Sequence, residues 1–85
     1  MYYVYVLQAK DGERYTGCTK DLRKRFDMHN SGKVESTQMR RPLKLIFYEA
    51  FLDKHDAFTR EHFLKTGWGR NQLRKLLSNF EKLGG

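Results

Sequence analysis

The first part of the chain has the two-residue periodicity of β-strands. Residues 2–7 alternate between two faces, one carrying Tyr3, Tyr5 and Leu7 and the other carrying two valines. The extended pattern resumes at residues 14–17, after a Lys-Asp-Gly segment of turn-forming residues. Aromatic and β-branched stretches on either side of such a segment predict a β-hairpin.

The length of the hairpin loop decides which side chains share a face. Side chains alternate between the two faces along a strand, so changing the pairing by one residue moves each side chain of that strand to the opposite face relative to its partner. A two-residue Asp-Gly turn would place Tyr5 and Tyr15 on opposite faces. A three-residue loop with Gly12 in the left-handed conformation reverses this parity and pairs Tyr5 with Gly17. Tyr15 then pairs with Leu7, and both rings lie on one face. We predict the three-residue loop, since joint chemistry by two tyrosines needs both rings on the same side.

A first helix is predicted after the hairpin, with Thr19 or Asp21 as its N-cap and an end near Asn30. Gly32 lies just past that end, where glycine favours termination of a helix. Spacing of three and four residues puts two apolar residues and two candidates for phosphate contact on one face of this helix. They are Leu22, Phe26, Arg25 and His29. The face therefore combines packing with the capacity to bind an anion.

Three further elements are predicted in the middle of the chain. Residues 31–41 are polar and basic and lack apolar periodicity, so we expect a loop there. Residues 43–51 are rich in aromatic and apolar side chains and predict a strand that is buried on at least one face. Asp53 or Asp56 is positioned to cap a second helix, which ends near Lys65.

A third helix is predicted from about Asn71 onward, because Gly67 and Gly69 interrupt the second. Its apolar residues recur at helical spacing: Leu73, Leu76, Leu77, Phe80 and Leu83. Trp68, between the two glycines, is interpreted as a core anchor, with stacking on a nucleobase as the alternative. The whole pattern predicts one α/β (α+β) domain over residues 1–85, with element order β-β-α-β-α-α. A small, three-stranded, mainly antiparallel sheet would be flanked by helices.

Charge and cysteine usage narrow the classes of partner and location. The 85 residues carry a formal net charge of +7, which attracts polyanions such as nucleic acid or an anionic membrane surface. The predicted strands and the many aromatic residues argue against a peptide that binds a membrane surface. The remaining alternative is a soluble basic protein that binds no polyanion. Cys18 is the single cysteine, so no intrachain disulfide can form. No apolar run approaches a membrane span and no signal-peptide core is present, so we expect a cytoplasmic protein.

Several motifs, in order and at matching spacing, resemble those of the GIY-YIG nuclease superfamily. Its Gly-Ile-Tyr motif corresponds to Tyr3-Val4-Tyr5, and its Tyr-Ile-Gly motif to Tyr15-Thr16-Gly17, at the family's usual ten-residue interval. The family's arginine falls at Arg25, followed by a histidine-asparagine pair at His29-Asn30. Its metal-binding glutamate corresponds to Glu61 on the predicted second helix. The similarity covers most of the chain and implies the family's fold and nuclease activity.

The resemblance also implies a catalytic site and a metal. Glu61 would bind Mg²⁺, or Mn²⁺, and Arg25 would stabilise negative charge on the phosphate. Tyr5 or Tyr15 would orient or deprotonate the attacking water, and the sequence does not decide which. A base role would need the tyrosine pKa, about 10 when unperturbed, to be lowered by a nearby cation. His29 would share the proton handling or bind phosphate.

The sequence departs from the family pattern at three positions. Tyr3 stands where glycine is usual, and Cys18 stands where some members carry a lysine. Asn71 is the nearest counterpart of an asparagine that several members use, and it is two residues short of the usual spacing. The run Arg41-Pro42-Leu43-Lys44-Leu45 is similar to the short stand-alone bacterial branch, in which the first two changes are common. The site is therefore expected to be intact.

Basic residues outside these motifs are predicted to widen the nucleic-acid-binding surface. They are Lys33, Arg40, Arg41, Lys44, Arg70 and Arg74. The expected function is endonucleolytic hydrolysis of DNA with low sequence specificity, in DNA repair or processing. Single-stranded, flap or damaged DNA are candidate substrates, RNA stays open, and no required protein partner is identifiable. The alternative is a basic nucleic-acid-binding module with the same fold and no cleavage.

Overall fold

A three-stranded antiparallel sheet forms the centre of the computed structural model, which describes residues 1–84. The strands are β1 (Tyr2–Gln8), β2 (Arg14–Thr19) and β3 (Lys44–Phe51), in the spatial order β2-β1-β3. The central strand β1 is covered on both faces, so residues 4–7 are all buried. The sheet predicted from the sequence is confirmed, and both of its strand pairings are antiparallel.

The hairpin formed by β1 and β2 has the predicted three-residue loop, closed by hydrogen bonding between Ala9 and Glu13. Gly12 has a φ of 90°, in the left-handed region that favours glycine. Tyr5 pairs with Gly17, and Leu7 pairs with Tyr15. Because paired residues of antiparallel strands point to the same side, both tyrosines lie on one face of the sheet.

Helices cover both faces of the sheet. Helix α1 (Leu22–Asn30) packs on the face of the two tyrosines, and α2 (Lys54–Leu64) packs on the opposite face. Each is capped by an aspartate, Asp21 for α1 and Asp53 for α2, whose carboxylate accepts a backbone N–H of the first turn. None of the helices within residues 1–84 is long and apolar enough to cross a bilayer.

The segment at residues 31–41 is not the loop that its polarity predicted. Glu35–Arg40 form a 3-10 helix, and Val34 and Thr37 are buried. So short a helix buries isolated residues rather than a stripe, and therefore produces no apolar periodicity in the sequence. The Asn30 side chain bonds both backbone groups of the residue before β3, at 2.7 and 3.0 Å, which ties α1 to that strand.

The C-terminal helices begin and end differently from the prediction. Helix α3 (Gly67–Leu76) starts earlier than expected, and a short helix, α4 (Ser78–Lys82), follows it. Thr66 caps α3 by accepting the Gly69 N–H at 3.1 Å. Gly69 lies so close to α2 that a Cβ on it would be 2.6 Å from the Leu64 Cα atom. Gly69 therefore allows α3 to start in close contact with α2, which ends at Leu64.

Two packing predictions for this part of the chain are wrong. Trp68 is 82% exposed and is not a core anchor. In the predicted apolar stripe Leu73 is buried, but Leu76 and Leu83 are exposed. The stripe is also divided, because α3 ends at Leu76 and the separate short helix α4 follows, so Leu83 does not continue the face of Leu73.

Candidate active site

Tyr5 reaches toward the edge of the sheet because the neighbouring strand has a glycine beside it. The phenol of Tyr5, only 1% exposed, lies over Gly17 of β2. A Cβ on Gly17 would be 2.6 Å from the Tyr5 Cζ atom, closer than real Cβ atoms approach another side chain. The glycine of the Tyr-Thr-Gly motif therefore leaves the space that the phenol ring occupies.

Tyr5, Tyr15 and His29 form one aromatic cluster. The Tyr5 hydroxyl oxygen is 2.9 Å from the His29 Nε2 atom. The ring centroids of Tyr15 and His29 are 5.0 Å apart, and those of the two tyrosines are 6.3 Å apart. The hairpin register and the amphipathic face of α1 together account for this meeting of three rings.

Arg25 lies one helical turn before His29 and completes the cluster. Hydrogen bonding with Tyr5, opposed by desolvation and followed by the charges of Tyr5 and Tyr15, raises the pKa of Arg25. A guanidinium only donates hydrogen bonds, so it uses lone pairs of the phenol oxygens. Because the side chain is only partly buried, it is also open to an anionic ligand.

Burial sets the proton affinity of Tyr5. Desolvation raises the pKa of Tyr5 to about 12, and the charges of Tyr15 and Glu61 add to the rise. Arg25 acts in the opposite direction, as expected for a neighbouring cation, but burial outweighs it in the free protein. At neutral pH Tyr5 is therefore a neutral phenol, and it needs a proton acceptor of its own to act as a base.

His29 is fully buried, and both of its ring nitrogens have partners. Nε2 contacts Tyr5, and Nδ1 lies 2.7 Å from the Thr37 Oγ1 atom. Burial, followed by the charge of Arg25, lowers the pKa of His29, so the imidazole is neutral at pH 7. Nothing in the sequence pattern points to Thr37, because a lone threonine in a polar run carries no signal for burial.

Glu61 comes from α2, on the opposite face of the sheet, and approaches the β2 side. Burial and then the charge of Glu61 raise the pKa of the Cys18 thiol, next to Gly17 on β2, and the same charge contributes at Tyr5. The Glu61 side chain is 18% exposed and accepts a hydrogen bond from the Lys65 Nζ atom at 3.1 Å. The negative charge of Glu61 therefore acts on Tyr5 and on Cys18.

The donor set near Glu61 fits Mg²⁺. Within residues 1–84 no group of three or more His, Cys, Asp or Glu side chains is arranged to hold a metal ion. Mg²⁺ does not need such a group, because it keeps several waters and commonly binds one or two carboxylates together with substrate phosphate. A single, largely buried carboxylate whose partner is the half-exposed Lys65 is compatible with that coordination.

Two of the predicted basic residues lie beside the tyrosine cluster. Arg70 and Arg74 line a groove of about 930 Å³ between β2 and α3, and Tyr15 forms part of its wall. Asn71 lies on α3 and is exposed. The other four basic residues are also exposed, outside the lining of this groove: Lys33, Arg40, Arg41 and Lys44.

Comparisons with known proteins place the chain in one family. The model of the GIY-YIG catalytic domain matches residues 1–74. A UPF0213 protein of Staphylococcus saprophyticus is 41% identical over 91% of this chain and 94% of the relative, and one of Streptococcus pneumoniae is 41% identical over 98% and 93%. The solution NMR structure of a UPF0213 protein of Bacillus halodurans has a TM-score of 0.57 and 39% identity, over 89% of this chain and 85% of that one. The chain therefore belongs to the GIY-YIG catalytic domain family, a family of nucleases.

Proposed function

We propose that this protein is a Mg²⁺-dependent endonuclease that hydrolyses phosphodiester bonds in DNA. One observation carries the proposal: two phenols, a guanidinium and an imidazole converge on one side of the β1–β2 hairpin, and the Glu61 carboxylate acts on the same phenol from the other side. In-line attack on a phosphodiester requires these kinds of group. They provide a path for the proton of water, a cation for the phosphate oxygens and a ligand for a divalent ion.

The proton of the attacking water would leave through Tyr5 and His29. As the water oxygen bonds to phosphorus, its proton passes to the Tyr5 oxygen while Tyr5 gives its own proton to Nε2 of His29, 2.9 Å away. The lowered pKa of His29 keeps the imidazole neutral and able to accept that proton. Tyr5 need not exist as a free phenolate, which its pKa of about 12 disfavours. The bond from phosphorus to the leaving oxygen breaks on the opposite side, and that oxygen takes a proton from solvent.

Arg25, Tyr15 and Glu61 would hold the reacting groups in place. Free N–H groups of Arg25 would donate to a non-bridging phosphate oxygen and stabilise the charge that develops there. Tyr15, in the wall of the groove, would orient the attacking water. Glu61 would bind Mg²⁺, with Mn²⁺ as a substitute, and the ion would supply further charge neutralisation at the phosphate.

DNA is the proposed substrate, with single-stranded, flap and damaged forms as the first candidates and RNA as the comparison. Arg70 and Arg74 line the groove beside Tyr15 and would contact phosphates on one side of the cleaved bond. Contacts of this kind fix the position of a strand but do not read its sequence. We therefore propose low sequence specificity and a role in DNA repair or processing.

A cleavage assay run beside a binding assay tests the proposal. Labelled single-stranded, duplex and flap DNA and single-stranded RNA are incubated with wild type and with Glu61→Gln, in Mg²⁺, Mn²⁺ or EDTA. We expect metal-dependent cleavage by wild type, and loss of cleavage without loss of binding in the variant. Binding of every substrate without cleavage by wild type would identify the alternative, a nucleic-acid-binding module with this fold. Equal cleavage by both proteins would contradict Glu61 as the metal ligand.

A further inference from the structure

A buried chain of hydrogen bonds runs from Tyr5 to the 3-10 helix. The Tyr5 hydroxyl lies 2.9 Å from His29 Nε2, and His29 Nδ1 lies 2.7 Å from Thr37 Oγ1. The Thr37 hydroxyl in turn lies 3.5 Å from the carbonyl oxygen of Val34. All three side chains are at most 1% exposed. His29 and Thr37 are fully buried, so bulk water supplies no missing donor or acceptor at the Nδ1 end of the chain.

Neutral His29 has two tautomers, which differ in the direction of the protons along this chain. In one tautomer Nδ1–H donates to Thr37, the threonine hydroxyl donates to the Val34 carbonyl, and Nε2 accepts from Tyr5. In the other tautomer Thr37 donates to Nδ1, and Nε2–H donates to Tyr5. Only the first tautomer allows Tyr5 to transfer a proton to the imidazole.

Arg25 decides between the two tautomers. Its guanidinium is a donor only, and its hydrogen bonding with Tyr5 lowers the pKa of that phenol. If His29 Nε2–H also donated to that oxygen, the phenol proton would need another acceptor inside a buried site, and an unmatched buried donor is unfavourable. Directing the phenol proton to Nε2 instead matches each donor with an acceptor.

We propose that Thr37 is a positioning residue of this site, whose hydroxyl accepts the Nδ1–H of His29 and so keeps Nε2 unprotonated and directed at Tyr5. The inference rests on the proposed function, in which Nε2 receives the Tyr5 proton. It gives the 3-10 helix Glu35–Arg40 a role in the chemistry, because that helix and the buried Val34 before it fix the position of the hydroxyl. Thr37 itself contacts neither the water nor the phosphate and acts only through the imidazole.

The tautomer is measured directly by ¹⁵N NMR of the His29 ring, without metal or substrate. Thr37→Val removes the hydroxyl but keeps the size of the side chain, and Thr37→Ser keeps the hydroxyl. Thr59→Val makes the same change at an exposed position of α2 and is the matched control. We expect the Nδ1–H form in wild type, in Thr37→Ser and in Thr59→Val, and a gain of the Nε2–H form in Thr37→Val.

Cleavage kinetics give the second readout. Hydrogen bonds that orient metal-bound histidines are commonly worth about 10- to 100-fold in activity, and by analogy we expect Thr37→Val to lower kcat by about that factor with little change in KM. Thr37→Ser should recover most of the loss, because it restores the acceptor. Thr59→Val should cut at the wild-type rate.

Three results separate failure of this inference from failure of the proposed function. The Nε2–H form in wild type would overturn the inference, whatever the activity and whether or not a variant folds. An unchanged kcat in folded Thr37→Val would overturn it as well. If the tautomer depends on Thr37 as expected but wild type cleaves nothing, the endonuclease proposal fails while Thr37 is still supported as the residue that sets the His29 tautomer.

Discussion

Replacing Gly17 with alanine should disturb the site at the point where the edge strand makes room for Tyr5. The new Cβ would lie 2.6 Å from Tyr5 Cζ, whereas ordinary van der Waals contact begins at 3.4 Å. The ring has little freedom to move away, because it is buried and its hydroxyl is bonded to His29. Overpacking of this kind costs about 1–3 kcal/mol. We expect Gly17→Ala to lower the free energy of unfolding by about that amount, and to move the Tyr5 hydroxyl away from His29.

Urea unfolding and the rate of cleavage measure the two consequences. Gly67→Ala is the matched control for stability, because a Cβ at Gly67 meets nothing within 4 Å and the backbone there is helical. We expect the control to change the free energy of unfolding by no more than about 0.5 kcal/mol. Cleavage by folded Gly17→Ala should fall about 100-fold, as it does when a reacting group is displaced by about 1 Å. Wild-type stability and activity in Gly17→Ala would refute the steric role of this glycine.

Two further predictions concern charge and pH. Arg70→Ser should weaken binding of DNA in EDTA and reduce the slope of log Kd against log salt by about 0.7–0.9, because Arg70 lines the groove beside Tyr15. Lys33→Ser removes the same charge from another surface and should change DNA affinity and its salt dependence less. Equal changes in the two variants would show that DNA does not bind preferentially along the groove. Stability should fall between pH 10 and pH 12, because the unfolded chain releases the Tyr5 proton near pH 10 and the folded protein only near its pKa of about 12. The free energy of unfolding should fall by about 3 kcal/mol over this range. Tyr5→Phe has no phenol to titrate, so its free energy of unfolding, measured in urea, should not show this fall. An equal fall in both proteins would contradict the raised pKa of Tyr5.

The hairpin register could be predicted from the sequence because side-chain direction has only two values along a strand. Once the loop length was chosen, Tyr5 had to pair with Gly17 and share a face with Tyr15. The cap of α1 was predictable for a similar reason, since only Thr19 and Asp21 are of capping type and in place. Local rules of this kind need no knowledge of what packs against the element.

Burial of single residues could not be predicted in this way, because tertiary packing decides it. Thr37 is buried by a short 3-10 helix that leaves no periodic signal. Trp68 was expected inside and is exposed, because α3 begins at Gly67 and packs through Gly69 and Leu73 instead. The large apolar surface of an indole favours burial on average. Trp68 is nevertheless exposed, because it lies on a face of α3 that does not pack against the rest of the protein.

The meeting of the side chains in the candidate site could be predicted from the sequence, but their electrostatics could not. The resemblance to a family and the face of α1 suggested that Arg25 and His29 would meet the tyrosines, and the structure brings these side chains together. The direction of the Tyr5 pKa was not predictable, because desolvation depends on a burial that the sequence does not encode locally. Burial raises the pKa that a base role would need lowered, so the proposed mechanism requires His29 as a proton acceptor.

Tyr5→Phe tests the proton path most directly, because it removes one oxygen atom and leaves the ring that packs over Gly17. Fold and affinity for DNA should change little, so single-turnover cleavage of labelled DNA in Mg²⁺ isolates the chemical step. We expect the rate to fall about 100- to 10,000-fold, the usual contribution of a positioned proton-transfer group. Cleavage at the wild-type rate would contradict hydrolysis through Tyr5 and His29.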